Sequence, residues 1–245
     1  MNNIISTVGG KDRADYLRFM ESVPELKGEG FVVQRSHLRV EAAFANNRPN
    51  YKFELFPNAT TARPTEKRLN RNDMFCITRM ALGIAKFNPV TNAYGNFPVY
   101  FNPDPNFFLG VPGTGLPESE CLNAVYNATV ALKSGTTERI PPFLTNVFRD
   151  VPERGYTFAV APQLRPEHGQ QDNIPWFELE PLTIISGQED NTILLDLPAA
   201  SDLAVLQGGI NQSAAAVDTR NVAVFLLEGF VVSEGATVQT RFNTY

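Results

Sequence analysis

The sequence predicts an all-β antiparallel protein, two sheets packed face to face behind a short N-terminal helix, and three observations carry that expectation. Period-2 alternation is the first. In the stretch 176–197, WFELEPLTIISGQEDNTILLDL, the return arm sets Ile193, Leu195 and Leu197 on one face and Thr192, Leu194 and Asp196 on the other, as a strand lying on a core does. Punctuation is the second: 18 prolines in 245 residues divide the apolar runs into short pieces, and proline in sheets is confined to edges, ends and bulges. The third is turn chemistry such as Ser186-Gly187-Gln188-Glu189-Asp190-Asn191, where Gly and Asn or Asp supply the left-handed conformations of a tight reversal. The stretch 176–197 is therefore expected to be a hairpin around which the sheets are built. A sandwich of this length commonly folds as one domain, so residues 1–29 read as an arm and residues 30–245 as a single β domain.

Residues 11–23 place Tyr16, Phe19, Met20 and Val23 at i, i+3, i+4 and i+7, and Pro24 stops the pattern, which predicts a short amphipathic helix. That helix either covers one end of its own sheets or docks on a neighbouring subunit. Residues 31–44 form a strand with Val32, Leu38, Val40, Ala42 and Phe44 on the core face and Arg35, His37, Arg39 and Glu41 on the wet face. Tyr51, Phe53 and Leu55 alternate in the next strand, which Pro57 ends. Residues 74–87 are apolar on both faces, Met80, Leu82 and Ile84 opposite Phe75, Ile77 and Ala81, as suits a strand covered on both sides. In residues 122–133, Tyr126, Ala128, Val130 and Leu132 alternate with their neighbours as another strand, and residues 143–148 and 156–160 read as two short ones.

Residues 222–232, VAVFLLEGFVV, are the most apolar strand, with Leu226 expected in the core beside Val224. Ala236, Val238, Thr240 and Phe242 then read as a last strand turning back at Ser233-Glu234-Gly235. Residues 199–218, rich in Ala, Ser, Gln and Gly, are a crossover or end loop. The long connection 88–115 holds Phe97, Tyr100, Phe101, Phe107 and Phe108 among Pro, Asn and Gly. Exposing so many rings would leave a large apolar patch, so this loop is packed either on its own domain or beneath another chain.

The net charge of −5 argues against binding nucleic acid by bulk charge, which needs a basic face. The local basic stretch Arg63, Lys67, Arg68, Arg71 and Arg79 either answers nearby acids or meets an acidic partner subunit or a genome. Nucleic-acid contact is thus expected to be at most local, through Arg63, Lys67, Arg68 and Arg71. Cys76 lies in MFCITRMALGI and reads as a small buried hydrophobe; its spacing from Cys121 does not argue for a disulfide. His37 and His168 lie too far apart in sequence for a zinc motif, and the loop Asn102-Pro103-Asp104-Pro105-Asn106 offers a single carboxylate where calcium takes several oxygens. No metal or cofactor is expected. The sequence has no G-x-S-x-G elbow, P-loop or H-E-x-x-H, and Gly113-Thr114-Gly115 lacks a strand-to-helix setting. Glu178 and Glu180 share a strand face, as glycosidase acids can, but read more simply as exposed strand positions. Hence no catalytic residue is expected. The opening residues lack the basic and apolar regions of a secretory signal, and no run approaches the ~20 apolar residues of a membrane span. Synthesis in the cytosol as a soluble chain is the expectation.

Two segments then carry a resemblance: 125–151 (VYNATVALKSGTTERIPPFLTNVFRDV) and 177–198 (FELEPLTIISGQEDNTILLDLP). With the N-terminal arm and the Pro-rich excursions, their patterns of strand and turn resemble the jelly-roll virion proteins of bacteriophages, without a signature chemical residue. The resemblance implies an antiparallel jelly-roll β-sandwich with a short N-terminal helix and long Pro-rich loops. It further implies a capsid or capsid-associated subunit, homo-oligomeric and in contact with other virion proteins, made in the host cytoplasm, with neither cofactor nor catalytic residues. The residues expected at its interfaces are Phe97, Tyr100, Phe101, Phe107 and Phe108, with Tyr16 and Phe19 of the arm. The alternative is a carbohydrate- or receptor-binding β-sandwich in which Tyr94, Phe97, Tyr100 and Trp176 stack on sugar rings.

Overall fold

The computed structural model describes residues 10–28, 30–45, 48–56, 63–87, 99–101, 123–149, 174–198 and 220–238. Among them a helix, α1 (Gly10–Ser22), precedes eight strands: β1 (Val32–Ala43), β2 (Asn50–Glu54), β3 (Met74–Phe87), β4 (Thr129–Ser134), β5 (Thr137–Leu144), β6 (Phe177–Ser186), β7 (Asn191–Asp196) and β8 (Arg220–Ser233). They form two four-stranded sheets, in the orders β1-β8-β3-β6 and β2-β7-β4-β5. Every pairing is antiparallel, and each strand of the first half meets one of the second: β1 with β8, β2 with β7, β3 with β6, β4 with β5. The pairings of β3 with β8 and β4 with β7 join these couples into sheets.

Alternation along the strands builds the core between the sheets. Leu38 and Val40 of β1, Phe225 and Leu227 of β8, and Leu82 and Ile84 of β3 face Tyr51 and Phe53 of β2, Ile193 and Leu195 of β7, and Val130 and Leu132 of β4, all in one buried cluster. The Phe53 and Phe225 rings meet edge to face across it at 4.9 Å, the arrangement their quadrupoles favour. Even-numbered residues of β8 turn the other way: Val222 and Val224 enter a cluster with Ala85 and Phe87, while Phe230 and Val232 pack beneath α1 with Phe19, Val23, Met74 and Cys76. The β1-β8-β3-β6 sheet is therefore covered on both sides, as the continuous apolar run of β8 implies.

One extra residue in β3 decides its faces. Ile77 pairs with Gly229 and Arg79 with Glu228, so Thr78 has no place in the β3·β8 ladder and the strand bulges there. Its hydroxyl donates to the Glu228 carbonyl at 3.0 Å. The bulge resets the period, so Phe75 and Ile77 join Met80, Leu82 and Ile84 in the same core, where uninterrupted alternation places them on opposite faces. Gly229 is what permits it: a methyl group at that position would overlap the backbone carbonyl oxygen of Cys76.

Several other expectations are corrected. The stretch 176–197 supplies two strands and a turn, but β6 pairs in one sheet and β7 in the other, so it is a corner between sheets and not a hairpin. The corner is polar inside: Ser134 donates to Asn191 at 2.7 Å and also contacts Glu189, and a Cβ on Gly187 would overlap the backbone of Asn70. Val32 is 51% exposed, since it lies at the end of β1 beyond the facing sheet. Residues 123–126 form a helical turn before β4, and in place of the strand expected at 143–148, β5 runs from Thr137 to Leu144 and Thr145–Phe148 is a 3-10 turn. Pro141 and Pro142 sit within β5, which tolerates them as the edge of its sheet. After the turn at Glu234, residues 236–238 are helical instead of extended, and Val238 packs in the cluster beneath α1. Leu226 shares the outer face with Val224 but is only partly buried. The strand read at 156–160 and the crossover 199–218 lie outside the described residues.

Gly229→Ala is expected to cost about 3 kcal/mol, since backbone must move to admit the methyl. Urea denaturation followed by circular dichroism measures it; a loss under about 0.5 kcal/mol, the range of surface substitutions, would contradict the bulge.

Candidate functional site

The strand register lays a row of charge across the outer face of the β1-β8-β3-β6 sheet. His37 of β1 faces Glu228 of β8, Glu228 faces Arg79 of β3, and Arg79 faces Glu178 of β6, one residue from each strand. Glu228 is the centre. Its Oε1 accepts from Arg35 Nε at 2.7 Å and its Oε2 from Arg79 Nε at 2.8 Å, with Nη2 of each arginine on the same oxygens. The other side of the Arg79 guanidinium lies 5.0 Å from the Trp176 ring centroid, a cation–π contact. Helix α1 extends the row: Arg35 Nη1 pairs with Asp12 at 2.6 Å, Arg18 Nη1 donates to Glu180 at 2.9 Å, and Lys11 pairs with Glu178. Between helix and sheet lies a cavity of about 20 Å³ lined by Lys11, Asp15, Thr78, Arg79 and Glu178. That is room for about one water, against the several hundred Å³ of a ligand pocket.

A second ionic cluster closes the side of the sandwich where β1 and β2 are the edges. The segment 63–69 bridges them through Arg39 N to Lys67 O (2.8 Å) and Leu69 N to Leu55 O (2.8 Å). The side chains of Glu41 and Glu66 are only 3% and 1% exposed, and charge this deep requires partners. Glu66 accepts from the Glu41 amide at 2.8 Å, the Arg63 amide at 2.6 Å and Arg68 Nη2 at 2.9 Å, while Glu41 accepts from Arg39 at 2.8 Å. Arg63 and Arg68 of the basic stretch are thus turned to these carboxylates and Arg79 to Glu228. Lys67, which donates to Ser36 at 2.9 Å, and Arg71 face solvent.

Of the aromatic residues singled out in the sequence, Tyr16 and Phe19 lie at one end of the outer face of the β1-β8-β3-β6 sheet and Phe101 at the other. Phe19 is fully buried, stacked 6.2 Å from Phe230, and Tyr16 meets that ring edge-on at 5.6 Å. At the other end Tyr100 forms a two-way bridge with Ile84, and Phe101, 6% exposed, packs over Gly83. Tyr94, Phe97, Phe107 and Phe108 lie outside the described residues, as do Cys121 and His168. Cys76 is a buried free thiol; burial, with the Asp15 carboxylate as a smaller cause, pushes its pKa up, which suppresses the reactive thiolate. Sequence alone does not bring Arg35, Glu228 and Arg79 together. The signal it does carry is Glu228 itself, an acid inside VAVFLLEGFVV, on the same strand face as Val224 and Phe230.

No family model matches the chain, and no curated protein matches it in sequence. Among the described residues no helix is long and apolar enough to cross a membrane, and no group of three or more His, Cys, Asp or Glu is placed to hold a metal ion.

Glu228→Gln is expected to destabilise by about 1–3 kcal/mol, because two guanidinium groups lose their shared charge partner. A double-mutant cycle with Arg79→Met isolates the coupling; additive losses would show that the pair does not interact. A second expectation concerns Lys86, 5% exposed and opposite Asn221 in the β3·β8 ladder. Burial lowers its pKa from 10.5 to about 8. Between those values the unfolded chain holds a proton that the folded chain has released, so stability rises with pH through that window. Cys76, whose pKa burial raises, opposes this once the unfolded thiol ionises at about pH 9, and Tyr51 and Tyr100, raised likewise, add to the opposition above about pH 10. The urea midpoint should climb from about pH 8 to 9 and then level off, and Lys86→Met should remove the climb; a wild-type profile flat between about pH 8 and 9 would contradict the lowered pKa.

Proposed function

We propose that this chain is a jelly-roll structural protein of a virion, a capsid or capsid-associated subunit that assembles with copies of itself. The observation that carries the reading is the pairing order: the first strand with the eighth, the second with the seventh, the third with the sixth and the fourth with the fifth. A jelly roll is built as one long hairpin of four strands out and four back, rolled until its two halves face each other, and this pairing order supports that reading. The fold alone hosts several functions. What favours a building block is how the described polar groups are used: the arginines and glutamates of both ionic clusters bind one another and tie helix, strands and connections together. Such ties hold the strands of the two sheets and their connections in register, as repeated subunit contacts need. On this reading the aromatic loop carries the contacts, with Phe107 and Phe108 as anchors that lose water on association. The subunit is made in the host cytoplasm and ends in the virion.

Sedimentation velocity over a range of concentrations tests this. The wild type should form a closed homo-oligomer. Phe107→Ser with Phe108→Ser should shift the distribution to smaller species at equal concentration, each lost ring weakening a contact by about 2 kcal/mol, roughly 30-fold, with the β circular dichroism retained. A chain that stays monomeric throughout and binds a glycan would overturn the proposal in favour of a recognition module.

A further inference from the structure

We infer that α1 is an ion-latched strap, held to its sheet by contacts that salt weakens, whose release uncovers the apolar face around Cys76 while the sandwich stays folded. The latch has three points. Lys11 pairs with Glu178 and Arg18 with Glu180, both on β6, and Asp12 pairs with Arg35 on β1. All three lie partly in water: the side-chain exposures are 58% and 48% for the first pair, 58% and 74% for the second, and 41% and 22% for Arg35 and Asp12 of the third. Exposed pairs of this kind are weakened by dissolved ions.

The apolar grip of the helix is narrow. Phe19 is its fully buried side chain, Tyr16 and Met20 are partly buried, and Leu17 is 50% exposed. Thirteen residues are too few to hold a helix in water without tertiary support, so α1 unfolds when it lifts, and docking is a local folding equilibrium separate from that of the sheets. Its covered face includes Met74 and Cys76 on β3 and Phe230 and Val232 on β8, held in the sandwich by their own ladder, with Val238 packed at its edge. The strip next to it, Arg35–Glu228–Arg79, joins β1, β8 and β3 without the helix, so the sheet remains intact after release.

Cys76 reports the equilibrium, because it is fully buried in the cluster that Phe19 and Val23 close. In a Cys121→Ser chain, with Cys76 the remaining thiol, maleimide labelling at constant pH should accelerate about tenfold between about 0.02 M and 0.5 M NaCl, the summed effect of three exposed pairs. Lys11→Ala with Arg18→Ala should label fast already at low salt and lose most of the salt dependence, with an unchanged urea midpoint for the β signal. In the unsubstituted chain, hydrogen–deuterium exchange reads the same equilibrium without any substitution: α1 amides should exchange about tenfold faster at high salt, and those of β3 and β8 should not. Labelling and exchange indifferent to salt, or α1 opening only together with β3 and β8, would overturn the inference.

Discussion

Thr78 is one residue more than the β3·β8 ladder can accommodate, and the two faces of the β1-β8-β3-β6 sheet depend on that misfit. A regular strand of fourteen residues would carry Phe75 and Ile77 to one side and Met80, Leu82 and Ile84 to the other, leaving one set outside the core. The bulge puts both sets inside. The same reset sends Met74 and Cys76 beneath α1 and Arg79 into the charged row beside Glu228. It requires a partner without a side chain at Gly229, where the Cys76 carbonyl comes close. Core, helix seat and ionic row are thus consequences of one local irregularity.

On the outer face three zones follow one another along the strands: the apolar seat of α1, the ionic row, and the smaller cluster of Ala85, Phe87, Val222 and Val224. The middle zone is the costly one to desolvate. It is tolerated because Glu228 is shared between two arginines, and because Asp12 takes the far side of Arg35 while Trp176 takes that of Arg79. The buried Glu41 and Glu66 are accommodated the same way, by backbone amides and by Arg39, Arg63 and Arg68. Charge in this protein works as joinery, fixing which segments meet.

Alternation made the strands legible, and with them the inward residues of β7, Ile193 and Leu195, and the apolar face of the N-terminal helix. What a period cannot report is the sheet to which a strand belongs. Residues 176–197 show two strands and a turn whether they form a hairpin or a corner, and only the pairing of β6 with β3 and β7 with β2 distinguishes them. Nor does it reveal a bulge, since Thr78 is an ordinary strand residue. Pro141 and Pro142 obscured β5, because a proline run argues against a strand unless an edge position is already known. The ionic row was hidden for a related reason: Arg35, Arg79 and Glu228 are far apart in sequence, and register alone brings them together.

Shell building by repeated contacts of a β-sandwich is the proposed function that joins these features, and imaging tests it most directly. Purified protein, concentrated and examined by electron cryomicroscopy, should yield symmetric closed particles whose repeating density accommodates the two four-stranded sheets with α1 on the outer face of one. Micrographs of dispersed single subunits at every concentration, with no ordered particle alone or with other virion proteins, would contradict it.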